Sequence, residues 1–184
     1  MSRVVLPADP LIAESTALRA WRDSDAPALV RICQDPEIVR WTAVPAGYTE
    51  ADAHTYLLRR HDAIVAGTAA PFAIVSGDTP AGELIGSISL VRLAWEHRRA
   101  EVGYFLSREA RGAGHATRAV RLIRDWAFRS LGIERLDLYA AVENVASQRV
   151  AERSGFEREA VLRSFMREKG VQLDMVAFGL LASG

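Results

Sequence analysis

The stretch that decides the fold is Ala100–Phe128, AEVGYFLSREARGAGHATRAVRLIRDWAF. It opens on an apolar, aromatic run, Val102–Leu106, whose length suits a buried strand. It breaks over Ser107–His115, where Gly112 and Gly114 sit between arginines. From Ala116 the period turns helical: Ala116, Val120, Ile123 and Ala127 share one face, and Arg118, Arg121, Arg124 and Arg129 fall mostly elsewhere. Strand, glycine turn and helix N-terminus together suit an anion. The first helical N–H groups have no intrahelical partner, and the helix dipole adds partial positive charge. Glycine at 112 and 114 lets the turn take positive φ, and Arg111 adds a fork of donors.

Working outward, the 184 residues are expected to form one domain over 1–184, with 1–14, which carries two prolines and no period, as a loose arm. Charge balances to zero, which argues against a nucleic-acid partner. No apolar run approaches the ~18 residues of a membrane span, and the N-terminus lacks the apolar core of a signal peptide. The single Cys33 has no disulfide partner and no ligand cluster for a metal, so a cytoplasmic protein without metal is expected.

A first strand is expected from Thr16 to Trp21, then short helices around Leu29–Cys33 and Ile38–Trp41. Thr49 with Asp52 reads as a capping box for a helix through about Ala66, with His54 and His61 on its surface. Strands at 71–75 and 84–93 join the opening strand in an antiparallel meander, with Gly86 near a bulge. The helix from 116 to 130 leads to a strand at 135–142, and this crossover implies local parallel pairing. A short helix, Ser147–Arg153, and a hairpin turning at Lys169-Gly170 complete the chain. The fold class is α/β (α+β): a mixed, mostly antiparallel sheet of about seven strands flanked by helices.

Arg111, Gly114 and Ala116 form an Arg-x-x-Gly-x-Ala element behind the strand EVGYFL; Asn144, Ser147 and Gly155-Phe156 follow at fitting distances. In these pieces, and in the opening segments LRAWRDSDA and DPEIVRW, the sequence resembles the GNAT superfamily of acyl-CoA-dependent N-acetyltransferases, and within it the RimJ/RimL-like branch. The resemblance implies acetyl-CoA as cosubstrate, with its pyrophosphate on Arg111, Gly112, Ala113, Gly114, His115, Ala116 and Thr117, and Arg149 nearby. It implies a splayed parallel strand pair in which pantetheine pairs with backbone near Phe105, Leu106 and Ser107. Asn144 either bonds the pantetheine amide or caps the helix after it. The partners implied are acetyl-CoA and a primary amine, first a protein or peptide N-terminus, with a small-molecule amine (amino acid, polyamine or antibiotic) as the alternative, and a homodimer is among the candidates.

Acetyl transfer needs a neutral amine, a polarised thioester carbonyl and a proton for the leaving thiolate. Glu101 is the candidate base, acting through water; the bland alternative is an ion pair with Arg98 or Arg99. A free backbone N–H near Tyr104 or Phe105 would serve the carbonyl oxygen. Many members of the family place a tyrosine where this sequence has Ala151, so Ser147 becomes the candidate acid, its alternative a helix-start residue. The acceptor pocket is expected over the 23–66 helices and the 163–171 hairpin loop, with Trp41, Tyr104 and Arg163 as candidate lining; Trp41 as core is the alternative. A dinucleotide fingerprint is not met, since its third glycine would fall at Thr117, and a P-loop lacks its Gly-Lys-Ser/Thr. A non-catalytic acyl-CoA-binding module remains the rival that the loop alone does not separate from an enzyme.

Overall fold

A computed structural model describes residues 4–182. Eight strands build one sheet: β1 (Leu11–Ala13), β2 (Thr16–Arg19), β3 (Ala70–Ser76), β4 (Leu84–Ala94), β5 (Arg99–Leu106), β6 (Arg135–Ala141), β7 (Glu157–Glu168) and β8 (Val171–Leu181). Their spatial order is β1-β2-β3-β4-β5-β6-β8-β7, antiparallel everywhere except between β5 and β6. Five α-helices flank it: α1 (Ala26–Cys33), α2 (Pro36–Trp41), α3 (Glu50–Ala66), α4 (His115–Ser130) and α5 (Val145–Arg153).

The meander, the crossover and the parallel pair stand as expected. The strand count is one higher, because the segment expected to be a loose arm supplies β1 and buries Val4 in the main core. Too short for a readable alternation, β1 exists because β2 offers it an edge. The hairpin also differs from expectation. Most of 163–168 continues β7, with a register shift between Leu162 and Met166, and only Lys169 and Gly170 form the turn. Both have positive φ (47° and 84°), as a two-residue turn matched to strand twist requires.

Helix α4 buries Ala119, Val120, Ile123, Trp126 and Ala127 against one face of the sheet, where Trp126 meets Phe72 edge-on at 5.1 Å. Each large side chain buried there contributes roughly 1.5–3 kcal/mol. On the other face α1 and α3 enclose a second core of Leu29, Ile32, Cys33, Ile38 and Leu57, which Phe105 of β5 joins. Residues of β5 therefore alternate: Val102, Tyr104 and Leu106 look toward α4, and Glu101 and Phe105 look the other way. At the bulge, Gly86 of β4 has no room for a side chain, since a Cβ would lie 2.2 Å from the Phe105 carbonyl oxygen.

Candidate active site

β5 and β6 pair over three residues only, Arg99–Arg135, Ala100–Leu136 and Glu101–Asp137, and then diverge. The divergence exposes backbone groups on the β6 side of β5, and alternation decides whose. Ser107 N–H donates to the Ile85 carbonyl at 2.8 Å, so Phe105 also directs its amide and carbonyl to β4. Tyr104 and Leu106 direct theirs into the gap, and the Leu106 carbonyl there accepts a 3.1 Å bond from Arg111. Of the positions expected to pair, Phe105 and Ser107 thus have their backbone taken by β4, and the groups directed into the gap are those of Leu106 and of Tyr104. Phe105 is instead a core residue by its side chain and a β4 partner by its backbone.

Beyond the gap, a 3-10 turn at Arg108–Ala110 leads into the glycine loop. Gly112 and Gly114 have φ of 81° and 82°, and Gly114 is the N-cap of α4 without a side-chain cap. The amides of the first turn, from His115 through Thr117, therefore have no acceptor from a capping side chain. Arg111 does not reach over the loop. Its guanidinium is bound 2.5 Å from Asp35, the residue that caps α2, and so ties loop to helix. Arg118 reaches back instead, donating to the Ala113 carbonyl at 2.7 Å. Arg149, by contrast, is exposed on α5.

On the α4 side of the gap, the Tyr104 hydroxyl lies 3.1 Å from Ser147 Oγ. Burial pushes the Tyr104 phenol up to about 12, against a smaller opposing effect of the Ser147 bond, so it stays protonated at neutral pH. Asn144 is the N-cap of α5, its side-chain oxygen accepting from Ser147 N–H at 3.1 Å. Capping is thus the role that the geometry displays for Asn144, and it leaves the Ser147 hydroxyl for Tyr104. Ala151 is fully buried in the core, so no side-chain hydroxyl reaches the gap from that position.

On the opposite face, Glu101 is half-buried and pairs with Arg92 at 2.5 Å, not with Arg98 or Arg99 as the alternative had it. Arg98 pairs with Glu134 and Arg99 with Asp137. Burial raises the Glu101 carboxyl above its ordinary range, more than Arg92 lowers it. Parallel register puts Asp137 and Tyr139 on this same face. Asp137, 3 % exposed, also accepts from Arg135 at 2.9 Å, and Arg135 in turn grips Glu159 of β7. Gly179 makes space for that grip: a Cβ there would lie 2.2 Å from Glu159 Oε1.

Further along, the rings of Tyr139 and Phe165 lie 5.1 Å apart. The hairpin turn closes this wall against α2, with Lys169 donating to the carbonyls of Val39 and Thr42 at its C-terminal end. Trp41 is half-exposed on α2, bonded to Glu37 and stacked under Arg40, so core is not its role. Arg163 is exposed on β7. Sequence reading singled out neither Arg92, Asp137 as a wall residue, Tyr139 nor Phe165; period-2 alternation on β6 was the available signal for the middle two. Among the described residues, no cluster of His, Cys, Asp and Glu could hold a metal, and no helix is long and apolar enough to cross a membrane.

Residues 16–157 match the family described as an acetyltransferase (GNAT) domain. The uncharacterized N-acetyltransferase p20 of Bacillus licheniformis is 30% identical over 173 residues, 94% of this chain and 96% of that protein. The spermidine N(1)-acetyltransferase of Escherichia coli is 37% identical over 81 residues, 44% of each chain. Mycobacterium smegmatis RimJ, solved with a CoA disulfide, superposes with a TM-score of 0.83 at 23% identity, covering 94% of this chain and 86% of that one. The loop, the divergent strand pair and these likenesses agree: the chain belongs to the GNAT family and is an acetyl-CoA-dependent N-acetyltransferase.

Proposed function

We propose that this enzyme acetylates the N-terminal amine of a peptide or protein, the amine attacking the thioester directly. One observation carries the choice of acceptor: the three carboxylates nearest the strand divergence are already matched. Glu101 has Arg92, Asp137 has Arg99 and Arg135, and Glu159 has Arg135. A polyamine brings a second ammonium that needs a carboxylate of its own, and Glu101, Asp137 and Glu159 are already taken. A chain whose only reacting cation is its N-terminal amine fits better, with Tyr139, Phe165 and Trp41 as flat surfaces for its first residues.

The acyl-CoA site in this reading comprises the amides of the Arg111–Ala116 loop for the diphosphate and the Tyr104 and Leu106 backbone groups for pantetheine, with the Asn144 amide N–H₂ beside them. Glu101 accepts the ammonium proton through water and leaves a neutral amine. As the C–N bond forms, the Tyr104 N–H in the gap stabilises the charge gathering on the carbonyl oxygen. The C–S bond then breaks, and the Ser147–Tyr104 hydroxyl pair donates a hydrogen bond to the departing sulfur. An ordinary alkyl thiol has a pKa of about 8.5. A phenol pushed up to about 12 therefore keeps its proton beside the thiolate and acts as a fixed donor; the nitrogen sheds its second proton to solvent as the amide forms, and the thiolate takes one from solvent. Alignment of amine and thioester supplies much of the remaining acceleration.

Thiol release from acetyl-CoA, screened against short peptides of varied first residue, spermidine and simple monoamines, tests this. Release with peptides is expected, and the preferred first residue then defines the pocket. Release with spermidine in preference to peptides would overturn the acceptor assignment, and silence with acetyl-CoA still bound would point to a binding module.

A further inference from the structure

Two side chains from the first turn of α4 converge on one buried hydroxyl from β2. Thr16, fully buried, places Oγ1 2.8 Å from His115 Nδ1 and 2.9 Å from Arg118 Nε. A guanidinium only donates, so Thr16 Oγ1 accepts from Arg118. The Thr16 hydroxyl proton, cut off from water, then has His115 Nδ1 as its acceptor. An imidazole that accepts at Nδ1 is neutral and carries its proton on Nε2. Thr16 holds the Nδ1 edge of a half-exposed ring, so the accessible edge is Nε2, at the residue directly after Gly114.

We infer that Thr16 and Arg118 are positioning residues for the acyl-CoA site: they lock His115 as the Nε2–H tautomer, which adds one oriented donor to the amides of the Arg111–Ala116 loop. The inference rests on the proposed reading of that loop as the diphosphate site. The surroundings agree with it. Burial, and then the charge of Arg118, hold the His115 imidazolium below its ordinary range. The groups facing the ring are Arg118 from α4 and Thr16 from β2, with Glu14 and Ser15 reached through the same guanidinium at 3.3 and 3.2 Å. Arg118 also donates to the Ala113 carbonyl, so one side chain braces both the loop and the β1–β2 turn. The N-terminal hairpin thereby becomes part of the cofactor site, 99 residues from the histidine it orients.

The test joins a spectroscopic and a kinetic readout. In ¹⁵N-histidine-labelled protein, His115 should show the Nε2–H pattern across neutral pH. Thr16→Val should lose that pattern and raise the KM for acetyl-CoA roughly five- to tenfold, the size of one lost hydrogen bond, with kcat at saturation unchanged. Thr16→Ser, which keeps the hydroxyl, should restore both. Freed from Thr16, His115 gains a proton more readily, so acetyl-CoA binding should strengthen more from pH 8 to 6 in Thr16→Val than in the wild type. Arg118→Met gives a second route from a partly exposed position and should also raise KM. An Nδ1–H tautomer in the wild type, or Thr16→Val with wild-type KM, overturns the inference. Unchanged acetyl-CoA affinity in Gly114→Asp would instead overturn the loop reading beneath it, while the tautomer measurement would still stand.

Discussion

The glycine loop and the acceptor-facing wall are built in opposite ways. The loop offers backbone amides at the start of α4, and side chains brace it from behind: Arg111 to Asp35, Arg118 to Ala113, His115 to Thr16. The wall consists of side chains from β4, β5, β6 and β7, held by the Arg92–Glu101 pair and by a separate set running from Arg99 through Asp137 and Arg135 to Glu159. A backbone site recognises a group that every acyl-CoA carries, and most side chains around it act on it by bracing. A side-chain wall can be retuned residue by residue, which is how one fold serves many amines.

The largest effect should come from the wall. Asp137→Ala leaves two arginines beside an apolar residue, and about 3 kcal/mol of stability should be lost in urea unfolding. A loss under about 1 kcal/mol would mean that the ion pairs decorate the wall without holding it. For the loop, Gly114→Asp forces a side chain into φ of 82°, 2.9 Å from Arg118, and sets a carboxylate against phosphate. Acetyl-CoA affinity measured by calorimetry should fall about 100-fold, roughly 2.7 kcal/mol, with little change in fold. Wild-type affinity would end the contrast by removing the loop from the site.

Between the two regions lies the hydroxyl pair. Ser147→Ala and Tyr104→Phe should each lower kcat about tenfold, with acetyl-CoA KM unchanged, and the double variant should be little worse than either. Additive losses would show two independent roles. The smallest effect is a shift in pH dependence. Glu101 must be ionised to take a proton, so kcat/KM should fall on the acid side through its raised pKa. Arg92→Met removes the charge that lowers this pKa and should move the acid limb to higher pH by less than about one unit. An unmoved limb would assign it to another group. The sign for stability is opposite: a folded-state pKa above the unfolded value means that stability declines as pH rises through that window. Glu101→Gln should therefore slow turnover without lowering stability at neutral pH.

The strand, glycine turn and helix of Ala100–Phe128 were legible because apolar period, glycine φ and the open helix start act within a few residues. The capping box Thr49–Asp52 was legible for the same reason. β1 escaped notice because three residues carry no period of their own and need an edge to pair with. Ser147 was read through the missing tyrosine at Ala151, but its partner Tyr104, 43 residues away, was placed in the substrate pocket. The pairing of Arg111 with Asp35, 76 residues distant, carries no local signal either.

By itself, then, the amino-acid order determined the elements other than β1 and the far end of β7, the parallel crossover and the loop that starts α4, since each follows from local steric, hydrogen-bonding and burial preferences. Tertiary structure alone decided which charge meets which: Arg92 for Glu101, Asp35 for Arg111, Thr16 for both His115 and Arg118. The physical reason is that an arginine can satisfy any carboxylate or carbonyl within its reach, and only strand register and helix docking bring one candidate near and carry the others away.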